Sequence, residues 1–180
     1  AYAHIRAEMG WAEFAMNFAD LDIFKYLNEA PRETLDGMMA SGTQSPLASS
    51  CGRLFDAAAA ITGLLRDEQS YEGHAAMLFE ASIDPAALNE PDSLKYPFSI
   101  PLHQETRMPY IEPLGAWRAM LGDLVVGTPI GTISARFHRG LASVIVQMVA
   151  KLSGSDRKFE TIALSGGCFQ NRTLFQLVHD

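Results

Sequence analysis

The feature that most restricts the fold of this 180-residue chain is a long amphipathic pattern in its last third. From about Ile130 to Leu152, apolar residues recur every three or four positions, and Arg136, Arg139 and Gln147 lie off that face. An α-helix brings residues at this spacing onto one side, so the pattern predicts a single helix over 130–152. Its apolar stripe consists of Ile130, Ile133, Phe137, Leu141, Val144, Met148 and Leu152.

A second apolar stripe, made of Leu54, Ala58, Ile61 and Leu65, predicts a helix from about Ser50 to Leu65. Ser49 or Ser50 could accept hydrogen bonds from the backbone N–H groups of its first turn. Shorter helical patterns, interrupted by Pro31 and Gly37, occupy residues 20–45. Further helices are predicted over Tyr2 to Phe18, with Ile5, Met9, Ala12 and Met16 on one face, over Gly73 to Ser82, and over Thr173 to Asp180.

Prolines are concentrated between residues 91 and 113, where five of the nine occur. Proline lacks a backbone N–H, so it removes a donor from a β-ladder and favours loops and edge strands. We therefore predict short edge strands at Tyr96 to Ile100 and at Met108 to Ile111. A third strand is predicted at Phe159 to Leu164, ahead of a pair of glycines. Together with the helices, these strands predict a mixed α/β chain.

Composition excludes several classes of protein. An apolar fraction of 48% and a charged fraction of 19% are typical of a folded domain. The sequence contains no apolar run of about 18 residues and no secretory signal pattern, so neither a membrane span nor secretion is expected. The net charge of −7 and the lack of clustered Lys and Arg argue against a nucleic-acid partner. Two cysteines without a CxxC pair, Cys51 and Cys168, favour a reducing, cytoplasmic location.

Both ends of the sequence look interrupted. The chain begins with alanine, no capping residue precedes the helix predicted from Tyr2, and no stop signal follows the helix predicted to Asp180. We therefore expect a fragment of a longer protein, truncated at both ends. Any function inferred from it could be one part of a divided site.

The segment from Thr161 to Val178 has the order strand, twin-glycine turn, helix. Gly166 and Gly167 would let a ligand approach the backbone closely, and the helix that follows would present N–H groups without helical partners. Asn171 would lie about one turn into that helix, where its amide could reach a ligand or face water. The pattern fits a nucleotide or phosphate site, and a tight turn with a positive φ at glycine explains it equally well.

Asp56 is a second candidate for ligand binding. On the predicted helix it shares a face with Ala59, Ala60 and Gly63, whose small size leaves room beside the carboxylate. An ionised carboxylate can accept hydrogen bonds from both hydroxyls of a ribose. The simpler alternative, favoured by the local sequence alone, is an ion pair with Arg53 or an interaction with the helix dipole.

The remaining titratable residues give weaker indications. Glu72 and Glu80 would line one side of a helix that opens after Tyr71-Glu72-Gly73-His74, a spacing typical of a solvated face. No two of the five histidines fall at i,i+3 or i,i+4, so no metal site is predicted within the chain. His138 is predicted to be a packed or surface imidazole. Cys168 follows the glycines at a helix start, which can lower a thiol pKa, yet no histidine is near it in sequence.

Four blocks occur in a fixed order along the chain: SSCGRLFDA at 49–57, YEGHAA at 71–76, RFH at 136–138 and LSGGCFQN at 164–171. Together they resemble the C-terminal, TsaD-like domain of the HypF carbamoyltransferases, which act in the maturation of nickel–iron hydrogenases. Four ordered blocks are much more specific than a single Gly-Gly turn. Cys51 and Cys168 stand where that family usually has methionine and valine, which leaves the turn intact.

The resemblance implies part of an actin/Hsp70-like (ASKHA) ATPase superfold, an α/β fold, here a helix-rich fragment with short strands. Residues 1–48 would be a helical lead-in, and 49–180 would hold the nucleotide-pocket motifs. It implies that ATP and carbamoyl phosphate give carbamoyl-adenylate, from which the carbamoyl group passes to the C-terminal cysteine of HypE and later becomes a cyanide ligand of the hydrogenase iron. The fragment alone is expected to be inactive.

The resemblance also implies roles for individual residues. Asp56 would hold the ribose hydroxyls, Gly73 would approach the nucleoside, and Gly166, Gly167 and Asn171 would line the adenosine pocket. The family's divalent metal would be held by motifs upstream and downstream of this chain. Two alternatives stay open: a tRNA threonylcarbamoyladenosine transferase, to which the domain is similar, and a non-catalytic module that docks HypE or hydrogenase precursors.

Overall fold

The computed structural model of the protein describes residues 1–154 and 159–180. The chain divides into two compact units, Ala1–Phe79 and Glu80–Asp180. The boundary falls inside a helix, whereas the division proposed from the sequence, after residue 48, falls within the first unit. No helix of the described residues is both long enough and apolar enough to cross a bilayer.

The first unit is helical throughout its regular structure. Its helices are α1 (Tyr2–Glu8), α2 (Gly10–Phe18), α3 (Asp22–Glu29), α4 (Arg32–Ser41), α5 (Cys51–Ile61) and most of α6 (His74–Ala81). The single helix predicted from Tyr2 to Phe18 is wrong, because Gly10 adopts a φ of +75° and breaks the run. The predicted stripe ends with the break: Ile5 and Met9 are buried, but Met16 is 83% exposed.

Aromatic side chains, and not Ala12 and Met16 of the predicted stripe, complete the core of α1 to α3. Trp11 stacks on Phe24 with ring centroids 5.2 Å apart, and Phe14 lies edge-on to Trp11 at 5.5 Å. The guanidinium of Arg32 covers the Trp11 ring at 4.2 Å, a cation–π contact. After the helix break at Gly10, the buried position in α2 therefore belongs to Phe14 and not to Met16.

Helix α5 ends four residues before the predicted Leu65. Gly63 has a φ of +82°, the backbone N–H of Leu64 donates to the carbonyl of Ala59, and that of Gly63 donates to Ala60. This is a Schellman termination, which requires a left-handed residue that glycine supplies without strain. Gly63 therefore lies outside the helix and does not share the face of Asp56 as predicted.

The second unit is organised around α8 (Ile130–Ser153), close to the predicted 130–152. Helices α7 (Leu114–Val125) and α9 (Arg172–His179) pack against it, and short 3-10 turns lie at Ala87–Asn89, Asp92–Leu94 and Gly167–Gln170. Burial of α8 extends from Ile133 to Val144. The predicted stripe continues further than the burial does, since Leu152 is 50% exposed.

Segments without regular structure lie directly on α8. The carbonyl of Arg136 accepts a hydrogen bond from the backbone N–H of Tyr96, and a Cβ at Gly140 would overlap the carbonyl oxygen of Tyr96. Only glycine permits this approach of two backbones. The segment around Tyr96 is thereby held on the helix by main-chain contacts.

All three predicted strands are absent from the described residues as regular strands. Residues 96–100 and 108–111 contribute to two isolated antiparallel bridges, Ser99 with Glu112 and Leu102 with Pro109. Prolines at 101, 109 and 113 remove ladder donors, so the pairing does not extend. Residues 159–164 form no regular structure, because a strand needs a hydrogen-bonded neighbour and no described segment pairs with them.

Candidate functional site

In the twin-glycine turn of the second unit, no described side chain covers the backbone. Gly166 has a φ of +98°, which fits the tight turn predicted from the sequence. A Cβ built on Gly166 or on Gly167 would meet no atom of the described chain within 4 Å. Gly167 has no positive φ, so neither its conformation nor its neighbours require glycine there. The missing side chain leaves space for another molecule against the backbone.

Asn171 ends this turn and begins α9. Its Oδ1 accepts a hydrogen bond of 2.7 Å from the backbone N–H of Leu174, which makes it the N-cap of the helix. Its Nδ2 lies 2.8 Å from His138 Nε2 on α8. The residue is 8% exposed. Asn171 thus fixes the turn to the helix that follows it and to the central helix of the unit.

His138 is a packed imidazole, one of the two alternatives predicted, and its ring is fully buried. Its Nδ1 lies 2.7 Å from the carbonyl oxygen of Ser134, which can only accept. Nδ1 therefore carries the proton, and Nε2 accepts from the Asn171 amide. Burial lowers the pKa of His138 to about 4, so the ring is neutral at physiological pH.

Glu80 occupies the start of α9 from a distant part of the chain. Its Oε1 accepts a hydrogen bond of 2.8 Å from the backbone N–H of Thr173. The spacing-based interpretation of Glu80 as part of a solvated face is therefore wrong. Two of the N–H groups at this helix start are bound by Asn171 and Glu80, and the carboxylate adds negative charge there. This electrostatic environment disfavours a phosphate and suits an uncharged part of a ligand.

Arg136, the first residue of the RFH block, holds an ion network together. Its guanidinium binds both carboxylate oxygens of Glu90, at 2.8 and 2.9 Å, and Oδ2 of Asp123 at 2.9 Å. The same Asp123 oxygen accepts from the Tyr96 hydroxyl at 2.6 Å. The hydrogen bond to Arg136 lowers the pKa of Glu90, and burial followed by the bond to Asp123 raises that of Tyr96. The block therefore acts in packing, with His138 at its end contacting the turn.

In the first unit, Asp56 forms the ion pair that was the simpler alternative. Its Oδ2 lies 2.9 Å from Arg53 Nη1, one turn earlier on α5. The Asp56 side chain is 16% exposed and that of Arg53 is 57% exposed. The arginine is therefore the more exposed partner, and a surface ion pair of this kind contributes little to stability. A ligand hydroxyl could reach the carboxylate beside it or in its place.

Gly73 opens α6, as the sequence predicted for the turn at 71–74. It has a φ of +82°, its carbonyl accepts from the backbone N–H of Met77 at 2.9 Å, and no described atom lies within 4 Å of a Cβ built on it. The exposed ring of Tyr71 lies 4.6 Å from that of His74. The turn therefore presents a bare backbone beside an aromatic surface.

The five predicted site residues fall in two groups. Gly166, Gly167 and Asn171 form one continuous turn in the second unit. In the first unit, Asp56 lies in the middle of α5 and Gly73 directly precedes α6. That the two groups act on one ligand stays a prediction. The sequence analysis missed Glu80 as a helix cap and missed the bond of His138 to Asn171. Both depend on pairings distant in sequence.

Metal ligands are not assembled by the described part of the chain. Residues 1–154 and 159–180 bring together no group of three His, Cys, Asp or Glu side chains suited to an ion. The residues present do not fit a metal centre, and we derive no step through one. Cys51 and Cys168 are both partly buried and form no disulfide with each other.

Comparison with known proteins supports the family that the four blocks resemble. The family model described as "Carbamoyltransferase, Kae1-like Domain, second subdomain" matches residues 1–180. The carbamoyltransferase HypF of Synechocystis sp. is 35% identical over 130 residues, which are 71% of this chain and 15% of that protein. HypF of Rhodobacter capsulatus is 34% identical over 146 residues, 81% of this chain and 17% of that protein.

A solved structure shares the fold. Full-length HypF in its phosphate- and nucleotide-bound form superposes with a TM-score of 0.70 at 28% identity, over 93% of this chain and 21% of that one. The chain thus spans about a sixth of the length of the curated relatives it matches. Its fold is the Kae1-like, actin/Hsp70-like one, represented here by a helix-rich part. The chain belongs to the HypF carbamoyltransferase family, as the second subdomain of the Kae1-like domain.

Proposed function

We propose that this chain forms part of the adenylate-binding site of a carbamoyltransferase that modifies the C-terminal cysteine of HypE. The observation that supports this most directly is the turn at 166–171, where Gly167 is bare although neither φ nor packing requires glycine. Membership of the HypF family supplies the reaction class. The nucleotide bound to the related full-length HypF supports a nucleotide as the ligand.

The charge at the turn favours the nucleoside rather than the phosphates as its ligand. Glu80 and Asn171 occupy N–H groups at the start of α9, and a carboxylate there repels an anionic group. The adenosine would lie against Gly166 and Gly167, whose backbone it can approach closely. In the first unit, Asp56 would accept hydrogen bonds from ribose hydroxyls, with Arg53 displaced or shifted, and Gly73 would approach the nucleoside.

The chemistry that this site would support is carbamoyl transfer through an adenylate. Carbamoyl phosphate, ATP and one water give carbamoyl-adenylate, pyrophosphate and phosphate. In the transfer, the cysteine sulfur of HypE forms a bond to the carbamoyl carbon, the bond from that carbon to the adenylate oxygen breaks, and AMP leaves. The thiol proton passes to solvent. The carbamoyl group would then be the source of the cyanide ligands of a nickel–iron hydrogenase.

The test is a binding titration on the complete protein that carries this chain. We expect Gly167→Ala to weaken binding of α,β-methylene-ATP about tenfold or more, measured by calorimetry, with an unchanged melting temperature. Gly122→Ala is the matched control, because Gly122 lies in α7 with open space around it. If Gly167→Ala and Asp56→Ala both bind as the wild type does, the chain is a docking module and not a nucleotide site.

The acceptor is tested separately. With labelled carbamoyl phosphate and ATP, we expect label on HypE and none on a HypE variant that lacks its C-terminal cysteine. Label on an adenosine of tRNA instead would assign the chain to the threonylcarbamoyladenosine branch. The two titrations and this assay thus distinguish failure of nucleotide binding from a wrong acceptor.

A further inference from the structure

His138 and Asn171 form a buried pair. The partner atoms determine which atom donates and which accepts in the hydrogen bonds of this pair. Ser134 offers a carbonyl oxygen, so Nδ1 of His138 donates and Nε2 accepts from Asn171 Nδ2. The backbone N–H of Leu174 donates to Asn171 Oδ1. The positions of Oδ1 and Nδ2 of Asn171 are therefore both determined, and the amide cannot flip without losing both hydrogen bonds.

The fixed amide has one donor left. Asn171 Nδ2 carries two hydrogens, and one is used by His138. Within residues 1–154 and 159–180, no other side chain or carbonyl accepts from this nitrogen. The turn that Asn171 ends is the one with bare glycines at 166 and 167. A ligand at this turn that reaches the Asn171 nitrogen would need a hydrogen-bond acceptor atom to match it.

We propose that His138 is a positioning residue for the nucleoside site: its Nε2 fixes the Asn171 amide so that the second Nδ2 hydrogen binds an acceptor atom of the nucleoside. This inference rests on the proposed function, because it assigns Asn171 to ligand binding. His138 itself contacts no ligand. The acceptor would be a ring nitrogen of the base or a sugar oxygen, both of which a nucleoside offers.

The chemistry of the pair distinguishes this role from simple packing. A polar ring buried among α8 and α9 is costly unless its nitrogens are bonded, and an apolar side chain of the same size would fill the space without that cost. Leucine at 138 would pack but would leave the Asn171 amide without its acceptor. Glutamine would place an amide oxygen near the position of Nε2 and would keep Asn171 oriented.

The experiment compares His138→Leu with His138→Gln in the complete protein. We expect His138→Leu to weaken α,β-methylene-ATP binding about tenfold, the loss of one oriented hydrogen bond. His138→Gln should restore binding to within about threefold of wild type. Phe137→Leu is the control for general loss of core packing, since Phe137 is equally buried and its ring lies against Trp117 and Phe98.

Nuclear magnetic resonance of the ¹⁵N-labelled wild type provides a measurement that needs no variant. The Nε2 nitrogen of His138 should show the shift of an unprotonated acceptor, and the Asn171 amide hydrogens should move on addition of the nucleotide. A protonated Nε2, or equal binding by His138→Leu, His138→Gln and the wild type, would overturn the proposal. So would an equal loss in Phe137→Leu. If the wild type itself binds no nucleotide, the proposed function fails first.

Discussion

The carboxylate of Glu80 accepts a hydrogen bond of 2.8 Å from the backbone N–H of Thr173, in the first turn of α9. The two residues are 93 positions apart in the sequence. A carboxylate at this place satisfies a helix-start donor and interacts favourably with the helix dipole. The end of α6 and the start of α9 are thus fixed to each other beside the glycine turn.

Removing this cap should destabilise the second unit. We expect Glu80→Ala to lower the free energy of unfolding by about 1 kcal/mol, the usual effect of losing a helix cap. Glu80→Gln should lose less, because its amide oxygen still accepts from Thr173. Urea denaturation measures both. Glu105→Ala, at an exposed loop position, is the control, and an equal effect there would contradict the capping role.

Replacing Arg136 should lower the folding stability even when the new residue is lysine. It binds Glu90 through two nitrogens and Asp123 through a third, and lysine has only one charged nitrogen. We expect Arg136→Met to cost roughly 3 kcal/mol of folding stability, since two partly buried carboxylates lose their ion-pair partner, and Arg136→Lys to cost about half of that. Thermal unfolding should rank wild type above lysine and lysine above methionine. Equal stability of all three would mean that the network contributes nothing.

Acid should destabilise the fold through His138. Its folded pKa of about 4 lies below the value of 6.5 for a free imidazole, so the unfolded chain binds a proton more readily between these two values. The contribution is present above pH 6.5 and is lost as the pH falls toward 4, by about 3 kcal/mol in total. Unfolding measured from pH 4 to 7 should show a weaker dependence in His138→Gln. An identical pH dependence of the wild type and His138→Gln would mean that a group other than His138 causes the loss of stability.

Replacing each of two helix glycines by alanine should change the stability in opposite directions. A Cβ at Gly140 would overlap the carbonyl of Tyr96, whereas one at Gly122 meets no described atom within 4 Å. We expect Gly140→Ala to destabilise by about 2 kcal/mol or more, because two backbones must separate. Gly122→Ala should stabilise by about 0.5–1 kcal/mol, from helix propensity. Melting temperatures of the pair test the packing of residue 96 on α8.

Local sequence predicted the helices well where their pattern was long. Helix α8 was predicted at 130–152 and observed at Ile130–Ser153, because seven apolar residues at helical spacing leave little choice of conformation. Glycines with positive φ shortened other helices. Gly63 ended α5 early and Gly10 divided the first helix, and a pattern of apolar residues does not reveal which backbone conformation a glycine adopts.

What the sequence by itself determined is the helical framework, the family and the glycine turn at 166–167, since each follows from residues that are neighbours in the chain or in motif order. Tertiary structure decided the rest. Its contacts join residues 13 to 93 positions apart: Asn171 with His138, Glu80 with the start of α9, and Arg136 with Glu90 and Asp123. A hydrogen bond depends on distances of about 3 Å between atoms, and only the packed chain sets those distances.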